Sequence, residues 1–287
     1  MKIAVLSGKG GTGKTTFSAS LFAHLDNSIA VDCDVEASNL HLLTIPENIK
    51  EEKFLAGNTF SISKEKCTSC GLCKTLCKNS AINDNYEINP FLCEECKLCY
   101  YKCPNDAISF IEGHKGTCYQ GTSSYGELFF AKLFAGEDNS GKLVSKLRSS
   151  AREFAKKYKK DYIISDGPPG IGCPVIASVT NTDYVILVTE PTLSGFSDLE
   201  RVVDLVETFD VPIGLIINKA NLNPMISENL KNYSLQHKIS LLGEIPFLEN
   251  IVHSTQEKTI FNFFGNDKYT FTLKLKENLK NFIKEMS

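Results

Sequence analysis

The sequence contains no tryptophan, only three methionines and no apolar run approaching the length of a bilayer-spanning helix. The missing tryptophan excludes little, whereas the missing apolar run argues against a helical membrane protein. A charge excess is also absent. Lysine and arginine number 31 against 34 aspartates and glutamates, a net charge of -3, so no overall footprint for nucleic acid or an acidic membrane surface is present. No leader-like segment precedes the first strand-like run, and the expectation is a soluble, cytoplasmic protein. What the chain does have is cysteine, 11 in 287 residues. In a reducing compartment that number argues against a disulfide framework and towards metal. The length accommodates one large α/β domain and a small module.

The organising stretch is Ser7-Gly8-Lys9-Gly10-Gly11-Thr12-Gly13-Lys14-Thr15-Thr16. It follows Lys2-Ile3-Ala4-Val5-Leu6, which reads as a buried parallel strand, and precedes a helix-like segment running to about His24. Strand, glycine-rich loop and helix form the context of a P-loop. Glycines let successive N–H groups curl around a phosphate, and the helix N-terminus adds its positive dipole end. In this pattern Lys14 reaches the β- and γ-phosphates and Thr15 holds Mg²⁺ through its hydroxyl.

Further apolar runs predict more parallel strands: Ile29-Ala30-Val31 before Asp32-Cys33-Asp34, Tyr162-Ile163-Ile164-Ser165 before Asp166, residues 184–189 and residues 213–217. Asp32 and Asp34 alternate about Cys33 and so share one side of an extended chain. Carboxylates at the C-terminal ends of such strands lie where open α/β sheets bind ligands. Helices are expected over 141–158 and 197–208. A third, over 271–286, carries Leu275, Leu279, Phe282, Ile283 and Met286 on one face. The last stripe reads as a helix docked on the sheet rather than a membrane-targeting tail. His41 reads as a packed or surface histidine.

Between about Gly57 and Glu112 the composition changes. Cys67, Cys70, Cys73 and Cys77 have the spacing C-x2-C-x2-C-x3-C, and Cys93, Cys96, Cys99 and Cys103 repeat it. The repeat continues, since Cys77-Lys78-Asn79-Ser80-Ala81-Ile82 parallels Cys103-Pro104-Asn105-Asp106-Ala107-Ile108. This is an internal duplication, expected to be held by its metal more than by a large core. Zinc ribbons also use C-x2-C pairs, but in two separated pairs, whereas each run here offers a third cysteine at the next interval.

Three resemblances follow from these residues. Gly8-Lys9-Gly10-Gly11-Thr12-Gly13-Lys14-Thr15 resembles the deviant Walker A loop of the MinD, ParA, Mrp/Nbp35 and nitrogenase iron-protein superfamily. That resemblance implies an ATP-dependent homodimer in which Lys9 acts on the partner's nucleotide, as an arginine finger does elsewhere. It further implies that Asp34 opens switch I and helps position the attacking water, that Asp32 lies near the Mg²⁺ shell, and that Asp166, followed by Gly167-Pro168-Pro169-Gly170, acts on Mg²⁺ through water. Asn218 is then placed at the adenine edge and Pro246 beside the base. The two cysteine runs resemble bacterial ferredoxins with two 4Fe-4S clusters. Cross-ligation in that family implies one cluster on Cys67, Cys70, Cys73 and Cys103, and the other on Cys77, Cys93, Cys96 and Cys99. Lys78 stands where that pattern places proline, adding a positive charge and an N–H that bear on cluster potential. The whole is similar to MinD-superfamily ATPases carrying an inserted ferredoxin domain, as are Gly136-Glu137-Asp138-Asn139-Ser140-Gly141-Lys142-Leu143-Val144 and Thr189-Glu190-Pro191-Thr192.

The expected fold is therefore a mostly parallel α/β P-loop domain over residues 1–56 and 113–287, with helices on both faces. A small α+β ferredoxin-like domain occupies residues 57–112. The expected cofactors are ATP, Mg²⁺ and two 4Fe-4S clusters, with an unidentified redox partner or client protein and no role for nucleic acid or membrane. The expected activity is slow, partner-stimulated ATP hydrolysis coupled to the clusters, for electron transfer or for iron–sulfur or metal-cofactor maturation. The alternative is a redox-sensing positioning or regulatory switch. Of the remaining cysteines, Cys33 and Cys118 read as small buried or loop residues, and Cys173, seven positions after Asp166, as a packed thiol; the alternative, implied by a resemblance to the nitrogenase iron protein, is a ligand to a metal site shared between subunits.

Overall fold

Strand β1 (Lys2–Ser7) is central because both of its faces are apolar. Ile3 and Val5 enter one buried cluster with Phe17 and Leu21, while Ala4 and Leu6 enter another with Val202, Val203 and Val206. A strand with two covered faces needs helices on both sides of the sheet, and this computed structural model has them. It describes residues 1–137, 140–265 and 269–284.

In chain order the remaining elements begin with α1 (Lys14–His24), β2 (Ser28–Asp32), α2 (Leu40–Thr44) and β3 (Glu47–Ile62). Two short helices follow, α3 (Leu72–Leu76) and α4 (Leu98–Tyr101), then β4 (Ile108–Ser123) and β5 (Gly126–Leu133). The second half alternates α5 (Ser140–Tyr158), β6 (Tyr162–Pro169), α6 (Cys173–Val179), β7 (Tyr184–Thr189), α7 (Leu193–Glu207) and β8 (Ile213–Asn218). It closes with α8 (Pro224–Gln236), β9 (Ser240–Ile245), α9 (Glu249–Gln256) and α10 (Thr270–Lys284). The strand order is β3-β4-β5-β2-β6-β1-β7-β8-β9, and every pairing from β5 through β2, β6, β1, β7 and β8 to β9 is parallel.

This order puts the C-terminal ends of β2, β6 and β1 side by side, where open α/β sheets bind ligands. Asp32 on β2 pairs in register with Asp166 on β6. Helix α7 begins four residues before the expected 197, because the Thr192 hydroxyl accepts the Gly195 N–H at 2.9 Å and caps the helix there. Helix α10 buries Leu275, Leu279 and Phe282 in the core, and Asn278 Nδ2 donates to Leu242 O at 2.9 Å, tying it to β9. Met286, expected on the same face, lies outside the described residues, as do Asp138 and Asn139. Among the described residues no helix is long and apolar enough to cross a membrane.

The chain divides into two compact units, Met1–Glu52 with Thr117–Ser287, and Lys53–Gly116. The smaller unit has a slight core of Phe54, Phe60, Ala81, Ile82, Ala107 and Ile108, and neither α3 nor α4 buries a residue. Its two halves repeat in backbone conformation. Left-handed residues recur as the pairs Ser69 and Glu95, Gly71 and Lys97, and Ser80 and Asp106, at matching places around the two cysteine runs. Such turns redirect the chain sharply, at a cost for the non-glycine members.

Candidate functional site

The loop between β1 and α1 is shaped by its glycines. Gly13 has φ +89°, and a Cβ there would lie 2.3 Å from Asn218 Nδ2, so conformation and space both require glycine. Asn218 Nδ2 donates to Thr12 O at 2.7 Å, and its Oδ1 accepts the Lys219 N–H at 2.9 Å. The residue expected at the adenine edge thus also braces the loop. A Cβ on Gly10 or Gly11 would meet nothing within 4 Å, which leaves that part of the loop open to a ligand.

At the end of β6, Asp166 is buried. Its Oδ1 accepts from Lys14 Nζ at 3.1 Å and from Ser18 Oγ at 2.8 Å. Ser18 was not foreseen, although it follows Lys14 by one helical turn and so shares its face. The buried side-chain oxygens without a hydrogen-bond partner, among the described residues, are Thr12 Oγ1 and Asp166 Oδ2. Both belong to this site. Orphaned buried oxygens are costly, and an incoming cation or phosphate-bound water would satisfy them. Thr15 stands half-buried on the first turn of α1.

Asp32 is turned onto its own loop. Its Oδ2 accepts from Ser38 Oγ at 2.7 Å and from the Asn39 and Leu40 N–H groups at 3.0 Å, while Oδ1 accepts the Asp34 N–H at 3.1 Å. Complete burial and then the Asp166 charge push its carboxyl up to about 7, against the opposing hydrogen bonds. Asp34 is only partly buried; desolvation raises its pKa against the pull of Lys14, and Asp166 adds to the rise. Lys14, Asp32, Asp34 and Asp166 are therefore brought together, with Asp32 holding the loop and Asp166 keeping an oxygen open.

Lys9 lies against its own chain. Its Nζ is 2.7 Å from Glu190 Oε1, 3.1 Å from Ser194 Oγ and 3.3 Å from Thr192 Oγ1. Glu190 Oε2 binds Lys219 Nζ at 2.8 Å, and Lys219 also donates to Gly11 O at 3.1 Å. Burial works to raise the Glu190 carboxyl, but the hydrogen bonds and charges of Lys219 and Lys9 outweigh it and hold it below its ordinary range. The sequence pointed to this cluster only through the family likeness of Thr189-Glu190-Pro191-Thr192, which named no partner for Glu190.

Beside the loop a pocket is lined by Gly13, Thr16, Asn218, Pro246, Phe247, Leu248, Ile251 and Val252. It contains both residues expected near a base. The apolar wall from the start of α9 was missed, because Ile251 and Val252 sit on a helix of only eight residues, none of them buried.

In the smaller unit one cavity is lined by Cys67, Cys70, Cys73 and Cys103, together with Leu72, Tyr86, Pro104 and Ile108. Three cysteines of the first run meet the last of the second. Burial and then the neighbouring Cys67 and Cys70 raise the Cys73 thiol; burial, Cys93 and Cys96 do the same at Cys99, with Cys73 adding a further contribution. The Ala81 N–H donates to Cys77 Sγ at 3.4 Å, and the Ala107 N–H donates to Cys103 Sγ at 3.3 Å, one in each half of the repeat. Among the described residues no three histidine, cysteine, aspartate or glutamate side chains converge tightly enough to hold a single ion. In donor type and number, the four cysteines of the cavity are the set that would hold a 4Fe-4S cluster.

Three residues outside these sites are settled by packing. His41 stacks on Phe130 at 4.8 Å, and burial followed by the Lys132 charge lowers its pKa. Cys33 and Cys118 are buried, which pushes their thiols up to about 12 and about 11. Cys173 is the correction: it is exposed, not packed. Helix α6 buries Val175, Ser178 and Val179, and that choice of face leaves its first residue outside.

Comparison with known proteins bears on the family and the fold. A protein of Methanocaldococcus jannaschii with no assigned function is 36% identical over 287 residues, covering 99% of this chain and 98% of its own. An iron-sulfur cluster carrier protein of Rickettsia bellii is 28% identical over 129 residues, 44% of this chain and 40% of that protein. The solved structure of the septum site-determining protein MinD from Pyrococcus horikoshii, in complex with Mg-ADP, superposes with a TM-score of 0.59 at 19% identity. That match covers 100% of this chain and 98% of the other, a likeness of fold. Residues 3–261 match the CobQ/CobB/MinD/ParA nucleotide binding domain, and the chain belongs to that family.

Proposed function

We propose that this protein is a Mg²⁺-dependent ATPase that works as a homodimer and couples its nucleotide state to two 4Fe-4S clusters held in an inserted ferredoxin-like domain over residues 57–112. The carrying observation is the cavity lined by Cys67, Cys70, Cys73 and Cys103 in a chain of a nucleotide-binding family. That ligand set joins residues of both cysteine runs, as cross-ligation in a two-cluster ferredoxin requires. The second set is then Cys77, Cys93, Cys96 and Cys99. Clusters of this type store and release single electrons.

In the nucleotide site, the backbone N–H groups of Gly8 to Thr16 and Lys14 cradle the phosphates. Thr15 would hold Mg²⁺ through its hydroxyl, and Asp166, whose Oδ2 is left open, would act on the ion through water. Asp32 stays close to the metal shell and keeps the following loop in place through its accepted N–H bonds. Asp34 orients the attacking water, and Lys9 supplies positive charge to the partner subunit's nucleotide. Asn218 and Pro246 flank the adenine. The chain leaves the larger unit soon after the Asp34 segment, so a loop ordered by the γ-phosphate is covalently continuous with the cysteine-bearing unit. The mixture of retained ferredoxin-type ligands and nucleotide chemistry favours ATP-gated electron delivery to a client protein in the cytoplasm.

The test is anaerobic purification, with cluster EPR followed during ATP addition to the wild-type protein and to Lys14→Ala. ATP is expected to change midpoint potential or reduction rate in the wild type alone. No change in either, with ATP bound, leaves a redox-sensing switch as the better account.

A further inference from the structure

We propose that Glu190 is a latch that holds Lys9 in its own subunit, so that the lysine becomes available to a second copy of the chain only when this ion pair opens. The inference rests on the reading of Lys9 as a residue that acts across the homodimer, and it adds the regulation of that step.

An ammonium has three N–H donors. Those of Lys9 find three acceptors within the subunit, Glu190 Oε1, Ser194 Oγ and Thr192 Oγ1. A lysine so occupied cannot donate to a phosphate without giving up a bond. The pair is better shielded than an ordinary surface contact, since the Glu190 side chain is 13% exposed and that of Lys9 29%. Glu190 is itself fixed from the other side by Lys219, whose amino group also binds Gly11 O in the phosphate loop. One carboxylate thus neutralises two ammonium groups next to an anion-binding loop. Nucleotide that alters the backbone at Gly11 reaches Glu190 through a single side chain, and a phosphate of the second copy competes with the carboxylate for Lys9. Glu190 therefore acts as a positioning residue that works through Lys9 and touches no substrate.

The test uses the full-length protein with its clusters and a non-hydrolysable ATP analogue, adenylyl imidodiphosphate, with dimerisation read by light scattering. Glu190→Gln keeps size and polarity and removes the charge. It is expected to reach half-maximal dimerisation at roughly five- to tenfold lower analogue concentration than the wild type. The rate of Lys9 acylation by a water-soluble active ester, followed by mass spectrometry without nucleotide, is expected to rise several-fold. A Thr192→Ala, Ser194→Ala double variant, which leaves the carboxylate in place, is expected to move both readouts in the same direction by less. An unchanged or higher analogue requirement in Glu190→Gln overturns the latch, and so does a shift without a change in Lys9 reactivity. If the wild type neither binds the analogue nor dimerises with it, the functional reading itself fails. Wild-type dimerisation with no response to Glu190→Gln removes the latch alone.

Discussion

Lys14 Nζ lies 3.1 Å from Asp166 Oδ1 with both groups buried, so the lysine proposed to bind phosphate is held by the carboxylate proposed for Mg²⁺. The pair keeps two charges of one site compensated before any nucleotide arrives. Removing one partner strands the other in a poorly solvated position.

Asp166→Ala is therefore expected to destabilise the nucleotide-free protein by about 3 kcal/mol, and Asp166→Asn by less, because asparagine still accepts from Ser18. Denaturant unfolding of the two variants checks this. Equal stability for wild type and Asp166→Ala would show that Lys14 finds another anion or reaches water.

Asp32 carries a pH dependence. Its folded pKa, raised to about 7, lies above the unfolded value, so the folded state binds the extra proton in the window between them. The associated stability is present below about pH 4 and is lost as pH rises through 7. In Mg²⁺-free, nucleotide-free protein, unfolding free energy is expected to fall between pH 5 and 7, with a shallower slope in Asp32→Asn. Chemical denaturation at several pH values measures both slopes, and parallel slopes would assign the effect elsewhere.

The cysteine assignment predicts which substitutions act together. Cys67→Ser and Cys103→Ser are expected to diminish the same EPR signal, and Cys77→Ser the other one, although Cys77 belongs to the first run. Each variant should retain about four of about eight irons per chain when purified anaerobically. If Cys67→Ser and Cys77→Ser remove the same signal, each run ligates its own cluster.

Lys78 adds a charge next to Cys77, where the second run has Pro104. Lys78→Pro is expected to lower the midpoint potential of the Cys77 cluster by roughly some tens of millivolts and leave the other unchanged. Redox titration followed by EPR reads both. Two unmoved potentials would show that the side-chain charge is screened by solvent.

Features of this chain were legible in the sequence wherever they depend on consecutive residues. A phosphate loop needs its glycines and lysine in immediate succession after a strand. Apolar runs that face helices on both sides declare parallel strands, and a duplicated cysteine run carries its own spacing. The family, the alternation of elements and the segments holding Lys14, Asp34, Asp166 and the eight cysteines were readable on those grounds. Tertiary structure decided the partnerships. Glu190 meets Lys9, and Ser18 meets Asp166, because strand order places the ends of β1, β6, β7 and β8 together. Asp32 turns to its own loop because burial leaves it no solvent, and Cys173 is exposed because α6 buries its opposite face. Local pattern encodes which groups a segment carries. Which distant group satisfies each charge is set by packing, since a buried ion takes the partner that the assembled sheet brings within reach.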